Sequence, residues 1–490
     1  MAKYLTDELE LQSVADAIRA KGGTSESLAF PTGFVSAIED IPTGGGNSVA
    51  SAKDVNFRDY DGTITNSYTK EEFANLTEMP ANPSREGLTA QGWNWTLAKA
   101  KAYVAKYGKL DIGQMYITDD GKTRVYIHLE KGRTSPRLGL CPNGTVDVDW
   151  GDGTSHNTLT GTSVTTVKWT SNHSYAAPGD YVIKLTVTGS MGFYGNSPSN
   201  QYAGLLRFSS SADIRNYVYQ NSIQKIEIGS GVTSIAAYAF YNCYSLESIS
   251  IPDSVTNIES YAFNECYSLA SINIPNGITS ISTCMFNDCY SLASINIPDG
   301  VTSIESNAFT GCSSLVSISI PDSVTNIGTY AFSNCRCLAF VSIPDSVTNI
   351  NNSAFNSCIN LVFVNIPNSV TSINNGVFSG CHSLASINIP DSIINIGSYV
   401  FNNCYNLVFI SIPDSVTDIG GNAFSSCYSV STYHFTSTTP PTLSSTTAFN
   451  NMPPDCIFYV PYSEDHSILE AYKSASNWSN YASKMQEEPV

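Results

Sequence analysis

At 490 residues, 13% of them charged, and with a net charge of −18, the chain is too long for one hydrophobic core, so three or four units are expected. The acidic balance argues against a nucleic-acid partner, which needs clustered Lys and Arg, and against docking on anionic lipid. No apolar run approaches the roughly 20 residues that cross a bilayer, so no membrane insertion is expected; Met1-Ala2-Lys3-Tyr4-Leu5-Thr6-Asp7-Glu8 lacks the apolar core of a secretory signal, which reads as assembly in the cytoplasm.

Residues 1–46 read as two short helices parted by Gly22-Gly23. The first carries Leu9, Val14, Ala17 and Ile18 at helical spacing; the second follows Pro31 with Phe34, Val35 and Ile38. Gly44-Gly45-Gly46 is a flexible joint. Residues 47–124 read as a small α+β adaptor. Within it Asp59-Tyr60-Asp61-Gly62-Thr63 matches the D-x-D-G-T of haloacid-dehalogenase phosphatases, in which the first Asp is the nucleophile and the second the general acid. That chemistry also needs a Lys and a distal acidic pair for Mg²⁺ on a parallel sheet. Here the flanking strand, Val55-Asn56-Phe57-Arg58, is half polar, and a turn accounts better for Asp-Gly. Asp119-Asp120 is placed in a hairpin turn before Gly121. The wording LTDELELQSVADAIRAKGGTSESLAFPTGFVSAIEDI, and after it VNFRDYDGTITNSYTKEEFANLTEMP and GLTAQGWNW, resembles the N-terminal part of tail proteins from phages of Gram-positive gut bacteria. The resemblance implies that residues 1–46 tether the chain to phage tail or baseplate proteins.

Residues 125–190 read as short alternating strands. Asp147-Val148-Asp149-Trp150-Gly151-Asp152-Gly153-Thr154, then His173-Ser174-Tyr175, then Pro178-Gly179-Asp180-Tyr181 resemble a PKD-type, immunoglobulin-like β-sandwich. In that family these residues are structural, and such sandwiches serve as spacers. A Ca²⁺ site from Asp147, Asp149 and Asp152 is conceivable, although the spacing is not that of an EF-hand. Residues 191–222 are a connector and N-terminal cap.

From 223 to 435 a unit of 23 residues repeats. Phe240, Phe263, Phe286, Phe309, Phe332, Phe355, Phe378, Phe401 and Phe424 keep this interval, as do nine cysteines from Cys243 to Cys427 and eight prolines from Pro252 to Pro413. The unit reads C-x-x-L-x-x-I-x-I-P-x-x-V-x-x-I-x-x-x-A-F-x-x. L-x-x-I-x-I is one short parallel strand, ended by a proline that cannot donate a ladder hydrogen bond. The Val, Ile, Ala-Phe and Cys positions turn inward on the return path, and stacked neighbours bury what one unit cannot. One thiol per repeat packs as a small hydrophobe; without Cys-x-x-Cys pairs a zinc site is not expected. The wording resembles the leucine-rich repeat of BspA-like bacterial surface proteins. The first coil, Ile223, Ile226 and Ile228, has Gly229 in place of Pro, as a capping repeat would. Residues 436–490 form a C-terminal cap, with a closing coil at Ile457-Phe458-Tyr459-Val460 and a helix through Leu469, Tyr472 and Trp478 over the open end. The fold class is thus multidomain and mainly β: helical anchor, α+β adaptor, Ig-like sandwich, leucine-rich-repeat solenoid and cap.

Alternation places the residues flanking the central strand Ile together on the outer face: Ser248/Ser250, Ser271/Asn273, Ser294/Asn296, Ser317/Ser319, Phe340/Ser342, Phe363/Asn365, Ser386/Asn388 and Phe409/Ser411. The position after the repeating Cys adds Tyr244, Tyr267, Tyr290, His382, Tyr405 and Tyr428. Phe340, Phe363 and Phe409 are apolar rings on an exposed face, costly without a partner. With Asn365, Asn388, Tyr405 and His382 they form the candidate contact surface, a paratope-like mixture of rings and hydrogen-bonding groups. No catalytic residue, metal ligand or cofactor is expected, because the repeat acids (Asp253, Asp299, Asp322, Asp345, Asp391, Asp414) fall in turns rather than as a carboxylate pair in a cleft. The leading expectation is a non-enzymatic phage tail or baseplate receptor-binding protein, located in the virion and contacting a host-surface glycan or protein. Several copies, as in a homo-oligomer, would add avidity. The alternatives are a BspA-like bacterial cell-surface adhesin and a structural tail decoration protein.

Overall fold

The computed structural model describes residues 53–60, 62–131, 133–195, 205–208 and 222–489. The helical segment expected over 1–46 and most of the connector expected over 191–222 lie outside the described residues. Residues 48–323 and 324–490 fall in two compact units, and the leucine-rich-repeat β-solenoid winds through about eleven turns in all.

Residues 55–118 fold as an α+β module. Its strands are β1 (Val55–Arg58), β2 (Ile64–Tyr68), β3 (Leu88–Trp93) and β4 (Leu110–Thr118), in the order β2-β1-β4-β3. β1 runs parallel to β4, and β3 antiparallel to it. Helix α1 (Lys70–Ala74) starts at a capping box, Thr69 and Glu72 bonding each other's backbone. Helix α2 (Leu97–Tyr107) starts at Thr96 and stops at Gly108, whose φ of 90° favours glycine. Phe57, Phe73, Trp93, Trp95, Tyr103 and Ile112 fill the core. Asp61, of the expected Asp-Gly turn, lies outside the described residues; beside it, Gly62 N donates to Asp59 O at 3.0 Å. Asp59 is buried and ion-paired to Arg85 Nε at 2.6 Å. Asp119-Asp120 also lies in a turn, with Gly121 N donating to Thr118 O. It is not a hairpin, because the strand that follows joins another sheet.

That sheet contains β5 (Thr123–Leu129), β6 (Pro136–Asp149), β7 (Asn157–Thr162), β8 (Lys168–Trp169), β9 (Gly179–Phe193) and β10 (Leu206–Phe208). Trp150 is its structural pin: its ring stacks on His173 at 4.6 Å, and its carbonyl accepts from the Tyr175 hydroxyl at 2.8 Å. The strands expected to form an Ig-like sandwich belong to one hydrogen-bonded sheet, and that sheet runs directly into the first repeat coil. β11 (Ile223–Glu227) pairs antiparallel with β5, and β12 (Val232–Ile235) pairs parallel with β9. The segment therefore caps the solenoid's open edge. Gly229 is the mark of that joint: a Cβ there would lie 2.1 Å from Gly121 O, and its N–H is taken by Thr123 Oγ1 at 2.9 Å.

Most coils contribute two short parallel strands, not the one expected; the coil at Ser386 has a single bridge, to Phe409, in place of the first. Ser271–Asn273 pairs with Ser294–Asn296, and Ser280–Ile281 with Ser303–Ile304; in the second unit Asn395–Ile396 lies between Ser372–Ile373 and Asp418–Ile419. The phenylalanines stack in rows, at 5.3 to 5.6 Å from Phe240 to Phe309 and 5.2 to 5.8 Å from Phe332 to Phe449. The repeating cysteines are buried free thiols. Each thiol whose bond is resolved donates to the Phe carbonyl of the preceding coil: Cys266 to Phe240 at 3.2 Å, Cys381 to Phe355 at 3.2 Å and Cys404 to Phe378 at 3.3 Å. Burial raises these thiols, Cys358 and Cys427 to about 12, so they are protonated and inert.

The residues two before and two after the Phe adopt left-handed backbone in most coils, as at Tyr238, Asn242, Asn403, Ser426 and Gly380. Their N–H groups carry the ladder around the bend, Asn242 to Asn264 O at 3.0 Å and Ser426 to Asn450 O at 2.7 Å. The final coils close on an aromatic plug. Strand Ile457–Val460 pairs with Thr432–Phe435, and the unforeseen strand Met485–Glu487 pairs with it in turn. Helix α3 (Ser467–Ser474) brings in Tyr472, and Trp478 follows it, buried against Phe435, Phe449 and Phe458.

Candidate functional site

The outer strand face divides into a covered and an open stretch. In residues 48–323 the α+β module lies on it. Asn273 Nδ2 donates to Gln114 O at 2.7 Å, Ser271 Oγ to Tyr60 O at 2.9 Å, Ser250 Oγ to Tyr116 O at 3.2 Å, and Asn296 Nδ2 to Asn273 Oδ1 at 2.8 Å. Lys99 and Asp299 pair at 2.9 Å at the margin. Ser250, Asn273 and Asn296, expected to face solvent, are 2%, 5% and 3% exposed. The tyrosines after the repeating Cys form a spine in this unit: Tyr244, Tyr267 and Tyr290 stack at 4.4 and 4.7 Å, and Tyr244 and Tyr267 both donate to Glu265 Oε2. Burial and the Glu265 charge push the Tyr267 phenol up.

In residues 324–490 the same face carries rings. Phe340, Phe363 and Phe409 stand on it as expected, but half-buried rather than fully exposed. Phe340 and Phe363 are register partners stacked at 6.2 Å, which shields part of each ring. Phe409 leans on His434 at 4.9 Å, and His434 on Tyr459 at 4.9 Å; His434 Nδ1 lies 2.6 Å from Glu488 Oε1. His434, one ordinary period after Ser411, and Tyr459 extend the row; Tyr459 escaped the sequence reading because the period lengthens to 25 residues there. Its place was readable only from the strand Ile457–Val460.

Two corrections apply to the candidate residues. Asn365 is a structural clamp: its Oδ1 accepts from Ile343 N at 2.9 Å and its Nδ2 donates to Ile343 O at 2.8 Å. It completes the ladder in place of backbone, because the strand at Phe363–Val364 stops short of it. His382 and Tyr405 belong to a separate stacked row, His382–Tyr405 at 4.5 Å and Tyr405–Tyr428 at 5.3 Å, and among the described residues no ring contact joins that row to the phenylalanines. Asn388 is exposed. Its side chain, like those of Ser342, Ser386 and Ser411, makes no hydrogen bond among the described residues.

No cluster of three or more His, Cys, Asp or Glu side chains that could hold a metal ion occurs among the described residues. Asp147 and Asp152 are each engaged by a histidine, His156 and His173, at 2.7 Å, and Asp149 lies 3.6 Å from His156. No helix of the described residues is long and apolar enough to cross a membrane.

Residues 212–339 and 327–453 match the family described as the BspA type leucine rich repeat region, of six copies. No curated protein matches the chain. Among solved structures it is similar to a T. pallidum leucine-rich repeat protein, 28% identical over 44% of this chain and 86% of that one, with a TM-score of 0.30. It is also similar to a leucine-rich cell surface protein from Faecalibacterium prausnitzii, 25% identical over 62% and 88%, TM-score 0.30. The pneumococcal vaccine antigen PcpA is 17% identical over 62% and 86%, TM-score 0.37. By its repeat wording the stretch 212–453 is a BspA-type leucine-rich repeat region, and from residue 222 on it is wound as a β-solenoid.

Proposed function

We propose that this chain is a non-enzymatic adhesion protein that holds a cell-surface partner on the open strand face bearing Phe340, Phe363 and Phe409. One observation carries the reading. Half-exposed rings at three coils replace the serine that stands at 248, 271, 294, 317 and 386, beside Ser342, Ser386, Asn388 and Ser411, whose side-chain polar groups have no partner among the described residues. A surface of rings, hydroxyls and amides binds by contact and needs no cofactor. The BspA-type repeat favours a bacterial cell-surface adhesin as the setting. The phage-tail reading rests on residues 5–41, outside the described residues, and on residues 55–80 and 87–95, which belong to the module that packs on the repeats.

The test is adhesion of the labelled full chain to a panel of bacterial and animal cells, compared with the double variant Phe363→Ser, Phe409→Ser. Serine stands at the equivalent position at 248, 271, 294, 317 and 386, so the coil tolerates it. At least tenfold weaker adhesion with an intact fold is expected. Equal adhesion by the double variant, or no adhesion to any cell by the parent chain, would refute the proposal.

A further inference from the structure

We infer that the open face takes the edge of an extended polypeptide strand laid across the coils, with one bulky apolar side chain seated between Phe363 and Phe409. This rests on the adhesion reading and names the partner's chemistry. The chain itself supplies the template. In the covered stretch the occupant is β4, whose carbonyls at Tyr116 and Gln114, two residues apart, are taken by Ser250 and Asn273, one coil apart. Alternate carbonyls of an extended strand point the same way. The advance of about 6.7 Å per two residues exceeds the coil spacing of about 4.8 Å, so such a strand crosses the ladder obliquely and still meets one donor per coil. In repeat register, Ser250 and Asn273 correspond to Ser342, Asn388 and Ser411, the donors left without a partner. From 342 to 411 the face thus keeps three of the four side-chain donors that this column supplies, the fourth, Asn365, being taken by Ile343, so an oblique strand would meet donors at Ser342, Asn388 and Ser411 and pass over the coil between the first two.

The phenylalanines add specificity. Phe363 and Phe409 are two coils apart, roughly 9.6 Å, and Ser386 between them leaves a notch. A side chain at its centre would lie about 4.8 Å from each ring, close to the contact distance of about 4 Å for apolar atoms. Sugars would use the ring faces, but rings stacked along the ladder turn their faces toward each other, as Phe340 and Phe363 do at 9°. A peptide side chain entering the notch from above meets that geometry better.

The experiment pans a display library of random short linear peptides against the full chain, then measures enriched peptides on Ser386→Phe, which fills the notch without removing a ring, and on Asn388→Ala. Enrichment of peptides with a bulky aliphatic or aromatic residue is expected, with binding at least tenfold weaker on Ser386→Phe and weaker on Asn388→Ala, while both variants keep the parent's thermal unfolding. No enrichment, or enriched peptides indifferent to Ser386→Phe, overturns the inference. A second arm separates the two readings. If adhesion depends on Phe363 and Phe409, yet survives protease treatment of the cells and is lost after periodate oxidation, adhesion stands and the polypeptide inference falls. Adhesion lost after protease and retained after periodate supports it.

Discussion

Gly113→Ala tests the packing of the module on the repeats. A Cβ at Gly113 would lie 2.2 Å from Asn273 Oδ1 and 2.7 Å from Asn296 Nδ2, so both amides must move by about an ångström. The shift breaks the bonds from Asn273 to Gln114 O and from Asn296 to Asn273. A buried polar group left without its partner costs about 1–3 kcal/mol, and two such losses cost roughly 2–5 kcal/mol. At about 1.4 kcal/mol per factor of ten, the local opening equilibrium rises by about 30-fold or more. Gly113 is not in left-handed backbone, so the cost is steric and removable. Asn273→Ala should abolish it, and the double variant should be no worse than Asn273→Ala alone. The assay is hydrogen exchange of Ser271–Asn273 and Ser294–Asn296 and of β4, resolved by segment. Unchanged protection in Gly113→Ala, or a double-variant cost equal to the sum of the single ones, refutes the docking argument.

Gly380→Ala, at a φ of 74° with Ser357 Oγ 3.2 Å from the added Cβ, should lower stability by about 1–2 kcal/mol in thermal unfolding, whereas Tyr399→Asn, at a left-handed position with the side chain exposed, should not. Trp478→Ala opens the plug and should cost about 3–5 kcal/mol, with lost exchange protection centred on residues 432–460. Burial raises Cys358, Cys427 and Cys456 to about 12 from an ordinary 9.0. The folded state therefore holds protons that the unfolded state releases, and stability present below pH 9 is lost as pH rises toward 12. Under native conditions a thiol reagent should label Cys337 first, since every other cysteine is buried.

The period of 23, the inward Ile, Phe and Cys positions and the aromatic plug were legible because they repeat or cluster locally. The second strand of each coil was not, since two residues such as Asn349–Ile350 give no alternation to read. The left-handed positions were half-legible: the site two after the Phe, filled in turn by Asn, Ser, Asp and Gly, as at 242, 357, 288 and 380, is the mark of a backbone that favours those residues, although glutamate at 265 breaks it, and tyrosine at 330 and 399 obscures the site two before the Phe. The covering of Ser250 and Asn273 was invisible, because these residues are the same in kind as Ser411 and Asn388 and differ only in what a distant segment lays over them. The Trp-Gly-Asp-Gly wording identified a structural pin correctly but gave no sign that β5 and β9 pair with the first coil.

Near-identical coils act as each other's controls. The turn serine after Pro-Asp or Pro-Asn donates to the carbonyl of the preceding coil, as Ser346 does to Val324 O and Ser415 to Ile393 O at 2.7 Å, and the repeating thiol does the same for the Phe carbonyl. The thiol position keeps its residue in all nine coils, and the turn position keeps serine in six of eight, with glycine at 277 and 300. The strand-face position before the central Ile or Val makes no such bond in the open stretch, and there serine gives way to phenylalanine. A structural account of the rings remains testable: stacking of Phe340 on Phe363 contributes roughly 0.5–1.5 kcal/mol, so Phe363→Ser would lower the unfolding temperature and leave adhesion unchanged. The binding account predicts the reverse weighting, a small change in unfolding and a large one in adhesion. Measuring both on the same variant decides between them.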